Sequence, residues 1–352
     1  MSEIPDPPAK PTKPASFLKR SLRRLGIALL ALFLAGLAGW ASLAVALGGV
    51  SDDHPRHLLG WLVLIVAAGL LLFLKPRRLG IGAFAALFAG ILIWYLLLKP
   101  TNAGDWTPDV ADLSWAEING DHVVVHNIRN FDYRTETDYT PSRYDREFDL
   151  SKVTSGDIVL CYWGLKAVAH GIVSVGFEDG SHLAMSIEAR RTKAQSFSML
   201  NGFFREYGLV YILADERDLI RLRTNYRDPK ERLYMYRARM TPDQIREILL
   251  SYLNKANSLR DHPEFYNALT DNCITGIVQN AKAGKKTAHL QWETVVSGYA
   301  PRQMYENGAI DTSMPLDQLI EQSQISDKAL AADKDPDFSA KIRIGLPIPP
   351  TD

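Results

Sequence analysis

The sequence predicts an α+β domain set behind three transmembrane helices. Three observations predict it. Early in the chain stand three apolar runs of membrane-crossing length, Leu25 to Val50, His57 to Leu74 and Leu79 to Leu98. From Trp106 onward, short apolar runs alternate or stand between Gly, Asp and Pro, as strands do. After Thr241 the apolar residues return at three- and four-residue spacing, as on one face of a helix.

Residues 1–24 are rich in Pro, Lys and Arg and cannot form a core, so they read as a disordered basic tail. The three runs within 25–98 each have the length a bilayer requires. The first is long for a signal peptide and two more follow it, which favours a three-helix anchor. Small residues such as Gly36, Gly39, Gly80, Gly82 and Gly90 would let the helices approach closely. Lys19, Arg20, Arg23 and Arg24 precede the first run, and Lys75, Arg77 and Arg78 separate the second from the third. The intervening loop carries Asp52, Asp53 and Arg56, and Asp105 and Asp109 follow the third run after Lys99. This alternation places the tail in the cytoplasm and everything after about Thr101 outside it. In a bacterium that means a multi-pass inner-membrane protein with a C-terminal periplasmic domain, residues 106–347.

Lys and Arg number 40, and Asp and Glu 40, so no global charge calls for nucleic acid. Two cysteines, Cys161 and Cys273, are too few for a disulfide scaffold. They can pair with each other in an oxidising compartment, which would remove a nucleophile. The eight histidines are scattered and no paired-Cys motif appears, so neither metal nor cofactor is expected. No phosphate-loop glycine pattern and no Gly-x-Ser-x-Gly elbow appears either.

Within the domain, strand character marks Val123 to Asn127 and Phe148 to Leu150, with a polar surface loop over Glu136 to Arg146. Gly156 to Trp163 reads as a turn feeding a buried strand. His170 to Phe177 and His182 to Glu188 read as a hairpin joined at Asp179-Gly180. Val210 to Ala214 and Leu233 to Arg237 are further strands. Thr241-Pro242-Asp243-Gln244 opens a helix with Thr at the N-cap and Gln three residues on. Its stripe of Ile245, Ile248, Leu249, Tyr252, Leu253 and Ala256 is core packing. A short helix is expected near Leu316 to Gln322.

Asp271-Asn272-Cys273 precedes an apolar run and reads as a cap opening a helix with Cys273 in its first turn. Unpaired N–H groups and the helix dipole there favour a thiolate, which makes Cys273 a candidate nucleophile. The plainer reading is a buried small apolar residue. His170 is the candidate base, against the plainer reading of a structural histidine at a strand end. Ser186, Glu188 or His182 would orient its ring. A strict two-residue turn at Asp179-Gly180 sets His170 opposite Ala189. An odd loop or a bulge moves the register by one and brings Ser186 and Glu188 onto the His170 face. The charge run Asp215 to Asn225 reads as a solvated, salt-bridged surface, or as an arginine cluster for phosphate groups through Arg217, Arg221 and Arg223, joined by Arg190 and Arg191.

These motifs together resemble the Lnb N-terminal periplasmic domain family. The resemblance rests on Asp157-Ile158-Val159, Tyr162-Trp163-Gly164, Ala169-His170, Ser186-Ile187-Glu188-Ala189-Arg190, Leu222-Arg223-Thr224-Asn225 and Asn267 to Cys273. It covers roughly Trp106 to Gly284, and weakly the tail to Pro347. It implies a permuted papain-like (NlpC-like) thiol domain and lipoprotein N-acylation. The His-then-Cys order is also similar to that of lecithin:retinol acyltransferase relatives. On this resemblance Cys273 carries an acyl group taken from membrane phospholipid, His170 moves the proton, and an amine such as a lipoprotein N-terminus receives the chain. Tyr162, Trp163, Asn272 and the arginines would line the substrate site. This chain has Ile274 where the family has a second Thr, and Cys161 is unusual for it. The alternatives are a membrane-anchored cysteine peptidase or amidase, and a non-catalytic periplasmic binding module.

Overall fold

The computed structural model describes residues 14–50, 55–268, 270, 276–277 and 297–350. The chain divides into two units, Met1–Gly48 with Asp53–Leu98, and Gly49–Asp52 with Lys99–Asp352.

The first unit is three helices, α1 (Pro14–Leu47), α2 (Pro55–Phe73) and α3 (Arg77–Leu97). All three are long and apolar enough to cross a membrane. Helix α1 starts well before the expected Leu25 and takes in the basic residues assigned to a disordered tail. Close approach through small residues occurs at Gly80, where a Cβ would stand 2.4 Å from the Leu70 carbonyl oxygen, and at Gly60 against Ser42 and Ala46. Gly36, Gly39, Gly82 and Gly90 have no such neighbour among the described residues, so the expectation fails there.

The second unit is α+β. After a single turn, α4 (Pro108–Ala111), come β1 (Trp115–Asn119), β2 (His122–Arg129), β3 (Asp132–Tyr133), β4 (Tyr139–Thr140), β5 (Arg143–Asp149) and β6 (Val153–Tyr162). Then follow β7 (Ala169–Phe177), β8 (His182–Arg190), β9 (Gly208–Ala214), α5 (Glu216–Arg221), β10 (Arg232–Arg237) and α6 (Pro242–Asp261). Four short helices close the chain: α7 (Ala300–Glu306), α8 (Leu316–Gln322), α9 (Ser326–Ala331) and α10 (Phe338–Lys341). The main sheet runs β1-β2-β9-β8-β7-β6-β10, with β5 on β2. It is mixed, because β2 meets β9 parallel at Arg129 and Ala214 while the other pairs are antiparallel.

Sheet alternation sorts the core into two faces. One face, with Leu160, Val173, Met185, Ile187 and Tyr211, packs on the apolar stripe of α6. Thr241 and Gln244 cap that helix reciprocally, as the sequence predicts. The other face, with Val159, Cys161, Ile172, Val210 and Ile212, is covered by α5, α9 and α10 through Leu219, Ile220, Ala329 and Phe338.

Two sequence expectations are corrected. Part of the stretch read as a polar loop, Glu136 to Arg146, is strand: Arg143 to Arg146 pair with β2. The charge run Asp215 to Asn225 is not a solvated surface. Glu216, Asp218, Arg221 and Arg223 are all at most 4% exposed. They sit inside because each acid meets a cation there, which burial of charge requires.

Candidate active site

The site starts from the β7–β8 hairpin. Gly180 takes φ +78°, the left-handed conformation glycine adopts freely. Its N–H donates to Phe177 O at 3.0 Å, and Phe177 N–H donates to Ser181 O at 3.0 Å. The loop is therefore three residues, Glu178-Asp179-Gly180, with the Asp179 carboxylate accepting from Ser181 N–H. The odd count sets the parity: Gly176 stands opposite His182 and Ile172 opposite Ser186. Two residues further along, His170 and Glu188 fall on the same face as Ser186.

His170, 9% exposed, sits across from Cys161 of β6. Its Nε2 is 2.7 Å from Ser186 Oγ and 3.2 Å from Glu188 Oε1. Ser186 Oγ in turn donates to Glu188 Oε1 at 2.7 Å. With that proton spent on the carboxylate, Nε2–H is the donor to Ser186, and Nδ1 is the basic nitrogen of the neutral ring.

A cation completes the arrangement. Arg223 belongs to a wide, π-helical turn, Leu222–Tyr226, that follows α5. Its Nη2 donates to Glu188 Oε1 at 2.8 Å, its Nη1 donates to Leu219 O at 3.0 Å, and Glu231 Oε2 lies 3.7 Å from Nε. Burial by itself raises the Glu188 carboxyl; His170, Arg223 and Ser186 outweigh it and hold the group well below the usual carboxylate range. Burial likewise opposes charge on Arg223, and Glu188 above all keeps its guanidinium charged.

These groups line a cavity of about 330 Å³. His170, Glu188, Arg223 and Glu231 form part of its wall, Trp163 and Phe197 give it an apolar side, and Arg129, Arg191 and Arg227 add positive charge. Arg129 is itself tied to the buried Asp218, with Nη2 at 2.6 Å.

Of the residues the sequence singled out, His170, Ser186, Glu188, Arg223 and Trp163 come together here. Arg190, Arg217 and Arg221 lie elsewhere and are engaged by main-chain oxygens. Arg190 donates to Val110 O at 2.9 Å and Ala111 O at 2.7 Å, over the Trp106 ring, and burial pushes it down to about 10. Arg217 donates to Asp335 O, and Arg221 to Asp333 O. Tyr162 donates to Gly298 O at 2.9 Å at the top of β6. His182 stays at the turn end of the hairpin, with Nδ1 3.1 Å from Gly180 O. Arg129, Arg227, Glu231 and Phe197 were not singled out, because nothing local in the sequence ties them to β7.

Cys273 and Asn272 lie outside the described residues, and so does any bridge between Cys273 and the fully buried Cys161. The nearest described residue after Cys273 is Gly276. A Cβ there would stand 2.2 Å from Ile187 Cδ1 and 3.4 Å from the Tyr211 hydroxyl. Ile187 and Tyr211 belong to the α6 face of the sheet, whereas His170 belongs to the opposite face.

Residues 140–303 match the family model of the Lnb N-terminal periplasmic domain, from β4 into α7. The match is the family that the motifs resemble, and it leaves β1 to β3 and α8 to α10 outside. No curated protein and no solved structure matches the chain.

Proposed function

Taking residues 140–303 as a Lnb N-terminal periplasmic domain, we propose that the chain is a multi-pass inner-membrane thiol acyltransferase. Its periplasmic domain would be a permuted papain-like fold, with Cys273 as nucleophile and His170 as base. In the first half-reaction the Cys273 sulfur attacks a phospholipid ester carbonyl. The ester C–O bond breaks, and His170 passes the thiol proton to the departing lysolipid oxygen. In the second, an amine such as a lipoprotein N-terminus attacks the thioester. The C–S bond breaks, His170 takes the amine proton and returns it to sulfur, and an amide is left.

The observation that carries this reading is the oriented imidazole. A histidine at a cavity wall, fixed through Nε2 by a hydroxyl and a carboxylate, presents Nδ1 as a base in the way a nucleophile–base pair needs. The apolar side of the cavity suits an acyl chain and its arginines suit a phosphate.

The test is intact-protein mass spectrometry of the full chain after incubation with phosphatidylethanolamine vesicles. The expected result is a gain of one fatty acyl group, absent in Cys273→Ala and slowed about 10²–10⁴-fold in His170→Gln, the range general-base catalysis supplies. Transfer to an added amine, rather than release to water or cleavage of a peptide, separates this activity from a peptidase or amidase.

One observation favours a second reading, a non-catalytic binding module. Gly276 packs on the sheet face opposite His170. The catalytic reading requires the three residues back to Cys273, about 10 Å at full extension, to bring the sulfur to the other face. Alkylation decides between them. A Cys273 thiolate paired with imidazolium reacts with iodoacetamide well below the ordinary thiol pKa, and His170→Gln abolishes that low-pH limb. An unaltered profile in His170→Gln excludes the pair.

A further inference from the structure

We propose that Arg223 is a positioning residue for His170. By holding the Glu188 oxygen that His170 and Ser186 also use, it fixes that carboxylate and offsets its charge, so the imidazole stays free to accept a proton near neutral pH. The use made of that proton rests on the proposed acyl transfer; the electrostatic coupling does not. A carboxylate beside an imidazole stabilises the imidazolium. Glu188 alone would therefore let the ring fill with a proton from solvent and cease to be a base.

Three groups converge on Glu188 Oε1: His170 Nε2 at 3.2 Å, Ser186 Oγ at 2.7 Å and Arg223 Nη2 at 2.8 Å. Sharing one oxygen, the guanidinium and the ring nitrogen are about 6 Å apart at most. Within that range a like charge disfavours the imidazolium. Arg223 is held in place from the other side, since Nη1 donates to Leu219 O at 3.0 Å and only 2% of the side chain is exposed. A guanidinium does not give up its proton, so the charge set against Glu188 is permanent. Glu231 Oε2, 3.7 Å from Arg223 Nε, moderates it. The remaining groups around the ring are paired or solvated. Cys161 faces it from β6 with a fully buried side chain. Around the cavity Arg129 meets Asp218 at 2.6 Å, Arg191 lies 3.9 Å from Asp109, and Arg227 is divided between Glu136 and Glu231. Asp228 is exposed to solvent, which screens it. Among the described residues, Arg223 is thus the cation that meets the carboxylate of this histidine.

The test follows histidine Cε1–H chemical shifts of the full chain in detergent micelles from pH 5 to pH 9, in a Cys273→Ala background. His170→Gln assigns the signal. Arg223→Gln should raise the His170 titration midpoint by about one unit or more. Arg223→Lys, which keeps the charge, should restore most of the parent value. Glu231→Gln, which removes the acid that moderates Arg223, should lower the midpoint. A merely structural Arg223 gives the opposite sign: its loss releases Glu188, the ring loses its carboxylate, and the midpoint in Arg223→Gln falls. A fall or no change there overturns the proposal, as does a Lys variant that shifts as far as the Gln variant. An unchanged midpoint in Glu231→Gln also overturns it, and that variant decides if Arg223→Gln does not fold. The Cys273→Ala background removes the acyl chemistry, so this inference and the proposed activity fail separately.

Discussion

Arg223 stands between two carboxylates, Glu188 at 2.8 Å and Glu231 at 3.7 Å, with only 2% of its side chain exposed. Its removal leaves Glu188 without its guanidinium, while Glu231 keeps Arg227, and losing one member of a buried pair costs about 3–5 kcal/mol. Arg223→Met should therefore lower the thermal unfolding midpoint sharply. Arg223→Lys should lose less, because it keeps the charge and gives up the planar fork. Equal midpoints for Arg223→Met and the parent chain would show that the pair contributes nothing. Two residues along β7 from Ile172, Ser174 donates to Glu216, whose carboxylate meets Arg343 at 2.6 Å while Arg343 also holds Asp157 at 2.8 Å. Burial raises Glu216, but Arg343 prevails and brings it down to about 2. Glu188 is likewise low. Both groups titrate lower folded than unfolded, so their stabilisation is complete above the unfolded value of about 4.3 and drains as pH falls through the folded values. For Glu216 the shift corresponds to roughly 3 kcal/mol. Unfolding midpoints measured from pH 6 to pH 2 should hold above pH 5 and then fall. A flat profile in that range would contradict the assignment.

The hairpin of β7 and β8 decides whether His170 has partners at all. Its existence was legible in the sequence, since two strand patterns flank Asp179-Gly180. Its parity was not, because a two-residue and a three-residue loop fit the same letters and differ in which face Glu188 takes. The loop settles on three residues through Gly180 at φ +78° and the Asp179 side chain, a balance of local contacts that composition does not encode. The turn carrying Arg223 was misread for a different reason. A dense charge run is solvated by default, and distant partners such as Arg129, Glu188, Glu231 and Arg343 make its burial possible. By contrast α6, with its capping box and apolar stripe, is set by neighbours in sequence and was fully legible. Deleting Asp179 should draw Ser181 into a re-formed three-residue loop, pair Phe177 with His182, set His170 against Ala189 and turn Glu188 to the α6 face. The expected result is loss of any acyl capture together with a lower unfolding midpoint. Gly180→Val, which keeps the length, should cost about 1–2 kcal/mol for a side chain at positive φ and leave the pairing in place. If the deletion retains full acyl capture, His170 does not need Ser186 and Glu188.

For the whole molecule, the orientation of the chain in its membrane decides where the β-sheet unit resides. Three helices are long and apolar enough to cross, so an uncharged count alone gives opposite sides for the N-terminus and the second unit. The direction comes from the flanks. Lys19, Arg20, Arg23 and Arg24 flank the first apolar run and Lys75, Arg77 and Arg78 precede the third, while in the sequence between the first two runs Asp52 and Asp53 dilute Arg56. If the helices span a bilayer, the tendency of Lys and Arg in short loops to stay cytoplasmic predicts residues 99–352 outside it. Reporter fusions read this directly. Alkaline phosphatase, which folds only in an oxidising compartment, should be active when joined after Pro350 and inactive when joined after Arg78. Replacing Lys75, Arg77 and Arg78 by Gln removes the inner-loop charge and should mix the two orientations, so that the Arg78 fusion gains activity. The opposite pattern in the parent chain would place Cys273 in a reducing cytoplasm, where neither a periplasmic lipoprotein nor an outer-leaflet phospholipid is within reach.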